Sequence, residues 1–152
     1  MNDEDFVSYE IAQAIARCGY DGQYNYMYAT ECFCFGDNPF IFDTVRVGER
    51  VLTCVAYYVN DNYEDAYRGI PCPSLWQAQK WLRERGLCVS VYPSPFSEDI
   101  DGEYAYKVYQ FMDYEEWNDP CAEYAKDYNS ALSAGIEAAL KLIENNKNNS
   151  VN

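Results

Sequence analysis

Histidine is absent from all 152 residues. That excludes a Ser-His-Asp or Cys-His catalytic set and any imidazole-ligated metal. A general acid or base in this chain must come from Asp, Glu, Lys, Tyr or Cys. No run approaches the ~18 consecutive apolar residues that a membrane-spanning helix needs. The chain opens Met1-Asn2-Asp3-Glu4-Asp5, without the basic start and apolar run of a secretory leader. The expected location is therefore the cytoplasm. Basic residues are scarce: 11 Lys and Arg stand against 25 Asp and Glu, for a net charge of −14. A pI near 4.2 sets up repulsion against nucleic acid and anionic lipid. Neither free nucleic acid nor a membrane is an expected partner.

What is present suits a folded domain. The chain is 49% hydrophobic and 24% charged, ordinary for a globular protein. Its length supports a core without metal or disulfide staples. Residues 1–145 are expected to form a single α+β domain, with a frayed polar tail over 146–152. Seven Cys lie scattered at 18, 32, 34, 54, 72, 88 and 121. In a reducing compartment they read most simply as free thiols acting as small hydrophobes. Cys32 and Cys34 share a strand face, and Cys18 and Cys72 could complete a four-thiol zinc set. The C-x₂₋₄-C knuckle of structural zinc is missing, so no metal and no cofactor are expected. The 16 Tyr sit mostly at alternating positions, as for sheet packing with hydroxyls at the rim.

Periodicity and end signals predict three helices. The first spans about Tyr9–Cys18, between a Ser8 N-cap and Gly19, with Val7, Ile11, Ala14, Ile15 and Cys18 on one stripe. The second follows Pro73-Ser74 and ends at Gly86, with Leu75, Ala78, Trp81 and Leu82 buried and Trp76, Lys80 and Arg83 opposite. The third spans about Tyr128–Glu144 behind an Asp127 N-cap, with Tyr128, Leu132, Ile136, Ala139, Leu140 and Ile143 on one face. Residues 23–59 read as three or four strands broken by turns at 36–39 and 48–49. Residues 60–71 read as a polar loop, Leu87–Tyr92 and Glu103–Met112 as strands, and Asp113–Lys126 as an acidic loop. The expected fold is α+β in the order α-β(3-4)-α-β-β-α, one antiparallel sheet packed by three amphipathic helices.

Three blocks carry a resemblance. They are Asp5-Phe6-Val7-Ser8-Tyr9-Glu10 with Cys18-Gly19-Tyr20-Asp21, Pro73-Ser74-Leu75 with Lys80-Trp81-Leu82-Arg83-Glu84, and Asp127-Tyr128-Asn129-Ser130-Ala131-Leu132 with Leu140. Together they resemble a family of small uncharacterised proteins of phages, prophages and mobile elements in Bacteroides-type gut bacteria. The Lys-Trp-Leu-Arg-Glu core is the most specific part. The resemblance spans most of the chain and is weak between residues 23 and 70. Many members carry a His-containing extension after the central helix, where this chain has Arg85-Gly86-Leu87-Cys88. The resemblance implies a phage-associated protein of the bacterial cytoplasm, and it carries over no catalytic or binding residue.

Two regions are candidate sites. Residues 98–127 carry ten acidic and two basic side chains, a local net of −8. Such an array, with Asp113, Glu115, Glu116 and Asp119 at its centre, could mimic nucleic acid and occupy a basic cleft. A solvated acidic loop accounts for the same residues. Within it, Asp99-Ile100-Asp101-Gly102-Glu103 lacks the spacing of a calcium loop and reads as a turn. The second candidate is Trp76 beside Lys80 and Arg83, an aromatic ring flanked by cations that suits a protein-binding anchor if exposed. The expected function is a phage- or mobile-element-associated accessory protein that acts by protein–protein binding. The partner would be basic-surfaced if bound through the acidic loop. The alternative is a small hydrolase using a carboxylate pair or a carboxylate-held metal.

Overall fold

The computed structural model describes residues 5–32, 44–47, 50–54, 67–93, 104–110, 116–117 and 125–150. The chain order is α1 (Tyr9–Arg17), β1 (Tyr26–Cys32), β2 (Thr44–Val47), β3 (Arg50–Cys54), β4 (Tyr67–Cys72), α2 (Leu75–Glu84), β5 (Leu87–Pro93), β6 (Tyr104–Gln110), β7 (Glu116–Trp117) and α3 (Tyr128–Ser150). This is an α+β fold. Where a single sheet is expected, the described strands form two antiparallel sheets, ordered β2-β3-β1-β4 and β5-β6-β7. The chain divides into two compact units, Met1–Gln77 and Ala78–Asn152, with the division falling inside α2.

In the first unit, β1 is central and pairs with β3 (Tyr28↔Leu52) and with β4 (Tyr28↔Ile70, Tyr26↔Cys72). Cross-strand partners share a face, so Tyr28, Leu52 and Cys72 point together, and all three are buried. The residues before α1 and α1 itself pack on that face. Phe6 meets Tyr26 edge-on at 5.0 Å, and Tyr9 meets Tyr28 edge-on at 5.2 Å. Ser8 caps α1, its Oγ accepting from the Ile11 N–H at 3.3 Å. At the other end Gly19 turns into the left-handed region with φ +78°, where a side chain would be strained. The Tyr20 N–H then reaches the Ile15 carbonyl, and the Gly19 N–H the Ala16 carbonyl, a Schellman closure.

Strand β4 replaces part of the loop expected over 60–71. Gly69 and Pro71 lower the strand signal there, but β4 lies at the sheet edge, where a residue without an N–H costs no ladder bond on its open side. The expected turn at 36–39, the turn at 48–49 and the continuation of a strand through 55–59 lie outside the described residues.

In the second unit, β5 and β6 pair along their full length, from Leu87↔Gln110 to Pro93↔Tyr104. Helix α3 packs on both strands. Gly135 makes the approach close: a Cβ there would strike the Val89 side chain and lie 3.3 Å from the Tyr106 Cβ. The core of this unit includes Val89, Val108, Leu132, Ile136 and Leu140, all at most 4% exposed. Val91, on the same strand face, is only half-buried, because burial fades along β5 toward Pro93. Asp127 caps α3, its Oδ1 accepting from the Ser130 N–H at 2.7 Å and its Oδ2 from the Ser130 hydroxyl at 2.8 Å. The helix runs to Ser150, six residues past the expected end at Glu144. Its last turns are exposed and follow no apolar stripe. Once a helix is nucleated, each added residue gains a backbone bond. Lys147 sits favourably at the negative end of the helix dipole.

Candidate functional site

Helix α2 builds the first candidate. Pro73-Ser74 starts it with a reciprocal cap: the Gln77 N–H donates to Ser74 Oγ at 3.2 Å, and the Ser74 N–H to Gln77 Oε1 at 2.9 Å. Gly86, at φ +83°, closes the far end, its N–H donating to the Arg83 carbonyl at 3.0 Å. Leu75, Ala78, Trp81 and Leu82 are all at most 3% exposed, which fixes the buried side of the helix. At 100° per residue, positions 76, 80 and 83 then fall together on the opposite side. Trp76 is 59% exposed there, the larger of the two exposures among large hydrophobic residues in the described structure, the other being Tyr128 at 46%. Lys80 and Arg83 are exposed on the same face. Lys80 lies 3.9 Å from Glu84 in a solvent-exposed i,i+4 pair, which holds the ammonium only weakly. The flanks are fixed more firmly. Gln79 donates to the Val89 carbonyl at 2.9 Å, Gln77 donates to Asn25 at 3.2 Å, and the Arg85 guanidinium stacks 4.0 Å over the buried Trp81 ring.

The second candidate is only partly described. Asp113, Glu115 and Asp119 lie outside the described residues, as does the turn at 99–103. Glu116 belongs to β7 and pairs with Tyr109, and Trp117 pairs with Val108. An isolated bridge joins Tyr104 to Ala125. The stretch expected to be one acidic loop over 113–126 is therefore tied to β6 at two places. Two paired residues are too few to leave a periodic strand signal in the sequence.

A buried polar node escaped the sequence reading. The Tyr28 hydroxyl donates to the Val7 carbonyl at 2.9 Å, and the Cys72 thiol shares that acceptor at 3.5 Å. The Val7 N–H in turn reaches the Pro73 carbonyl at 3.3 Å. Burial pushes the Cys72 thiol up to about 12. Burial also raises the Tyr28 hydroxyl far above its ordinary value, with Cys72 adding to the shift. Both groups therefore stay protonated and act as donors. Tyr28 departs from the expected pattern of hydroxyls at the rim, being 2% exposed. Its partner lies 21 residues away, so no local pattern announces it. The node ties the residues before α1 to the β1–β4 edge.

Among the described residues, no group of three or more Cys, Asp or Glu is placed to hold a metal ion. Cys18 and Cys72 are buried and Cys88 is half-buried, none of them in a disulfide, while Cys34 and Cys121 lie outside the described residues. No described helix is long and apolar enough to cross a membrane. Comparison with family models, with curated proteins and with solved structures finds no match to this chain.

Proposed function

We propose that this chain is a phage- or mobile-element-associated accessory protein of the bacterial cytoplasm that works by binding another protein. The surface proposed for that binding is the outer face of α2. The observation that carries the reading is Trp76, 59% exposed on a well-capped helix. A rigid helix presents the indole with little ordering cost, and a large aromatic is the side chain that most often anchors a protein interface. Lys80 and Arg83 give the anchor a charged border. The phage association rests on the resemblance of the three sequence blocks, of which the Lys80–Glu84 core lies on this helix. The strongly negative net charge keeps a Tyr-rich chain soluble.

The test is comparative capture from a Bacteroides-type lysate with three baits: the wild type, Trp76→Ala and a control, Lys141→Ala, on α3. The reading expects a protein retained by the wild type and the control and lost from Trp76→Ala. Equal retention on all three baits refutes it.

A further inference from the structure

Resting on that reading, we infer that the occupant of the α2 face is an acidic peptide segment of a partner protein, bearing one apolar side chain that packs on Trp76. The charge of the face carries the inference. Residues 80–85 hold Lys80, Arg83 and Arg85, three of the 11 basic residues in a chain of net charge −14. Within that stretch only Glu84 opposes them. Arg85 is turned onto the Trp81 ring, and Lys80 and Arg83 are exposed on the helix face that carries the indole. A hydrophobic anchor bordered by two cations is complementary to an apolar residue flanked by carboxylates. Two other occupants fit worse. In a two-fold contact with a second copy, the same patch meets itself, which sets Lys80 and Arg83 against their own like charges. A nucleic acid strand carries a charge on every nucleotide and is repelled along its length by the acidic chain. A short peptide confines its charges to the patch, and at physiological salt the remaining acidic surface is screened beyond roughly 8 Å.

The test selects from a displayed library of random twelve-residue peptides, with the full chain as bait. Parallel selections use Trp76→Ala and the charge-reversed Lys80→Glu/Arg83→Glu. All three positions are exposed, and unchanged thermal melts establish that the variants fold. The inference expects the wild type to enrich peptides with an apolar residue among acidic ones. Those peptides should bind Trp76→Ala about thirtyfold more weakly, as for an interface hot spot. The charge-reversed chain should instead enrich basic peptides. Peptides that depend on Trp76 but show no acidic bias, or that ignore the charge reversal, overturn the acidic occupant and leave the protein-binding face standing. An absence of any Trp76-dependent peptide overturns both. A fluorescent oligothymidylate is titrated alongside, and Trp76-dependent binding of it would replace the peptide with single-stranded nucleic acid.

Discussion

Gly135 is the point at which the packing of α3 on the β5–β6 sheet can be tested by sign rather than by size. In an exposed helix, replacing Gly by Ala gains roughly 1 kcal/mol from lower backbone entropy in the unfolded chain. At position 135 the added methyl would run into Val89, which is 1% exposed and β-branched, and would crowd the Tyr106 Cβ at 3.3 Å. A branched side chain locked in a packed sheet cannot swing aside, so overpacking costs about 1–3 kcal/mol. Gly135→Ala alone should therefore range from near neutral to about 2 kcal/mol destabilising. Val89→Ala alone opens a cavity and should cost about 2 kcal/mol. In the Val89→Ala background the obstructing methyls are gone, and the methyl added at position 135 fills part of the space they leave. There Gly135→Ala should stabilise by about 1 kcal/mol or more. The assay is urea unfolding of the four proteins. The predicted coupling is about 1–3 kcal/mol. If Gly135→Ala has the same effect in both backgrounds, the close approach of α3 to Val89 is wrong.

Three further outcomes follow from the core and the caps. Leu82→Ala or Leu132→Ala should each cost about 2–5 kcal/mol in a denaturant melt, since both are at most 4% exposed; a loss near zero would mean the helix faces are misassigned. Asp127→Ala should cost about 1 kcal/mol by leaving α3 uncapped, whereas Asp127→Asn should cost little. The carboxyl of Asp127 is held below its ordinary value by its bonds to Ser130, so its contribution is present above the ordinary carboxylate range and fades as the pH falls. Cys72 works in the opposite direction. Its thiol is raised from 9.0 to about 12, so its contribution is complete below pH 9.0 and is lost as the pH rises toward 12. The unfolding free energy from urea melts should fall in that window, by up to about 1.4 kcal/mol per pH unit for each proton held back by folding. The slope in Cys72→Ala should be shallower by up to one proton; an unchanged slope would show that the thiol is not buried with its proton.

The helices were legible because their ends and stripes agree. Ser8 with Gly19, Ser74 with Gly86, and Asp127 each mark a boundary by chemistry that acts within a few residues. The buried stripe of α2 likewise fixed where Trp76 had to point. The sheets were less legible. Strand β4 carries Gly69 and Pro71 and is held by its pairing to β1, a long-range contact that local propensity does not report. The strand pattern also does not say whether strands far apart in the chain join one sheet or two, since both choices bury the same alternating residues. The extension of α3 through Ser150 has no apolar periodicity to announce it. The Tyr28–Cys72–Val7 node depends on a backbone carbonyl brought from another segment, which composition and spacing do not encode.

The claim that the outer face of α2 is the working surface rests on Trp76, and one binding constant tests it. Isothermal titration of the protein captured by the wild type should be repeated with Trp76→Ala, after melts show the two chains equally stable. The account predicts an affinity weaker by about thirtyfold or more, the loss expected when a buried aromatic anchor is truncated at an interface. Affinities within twofold of each other would show that the exposed indole is ordinary surface and that any partner binds elsewhere.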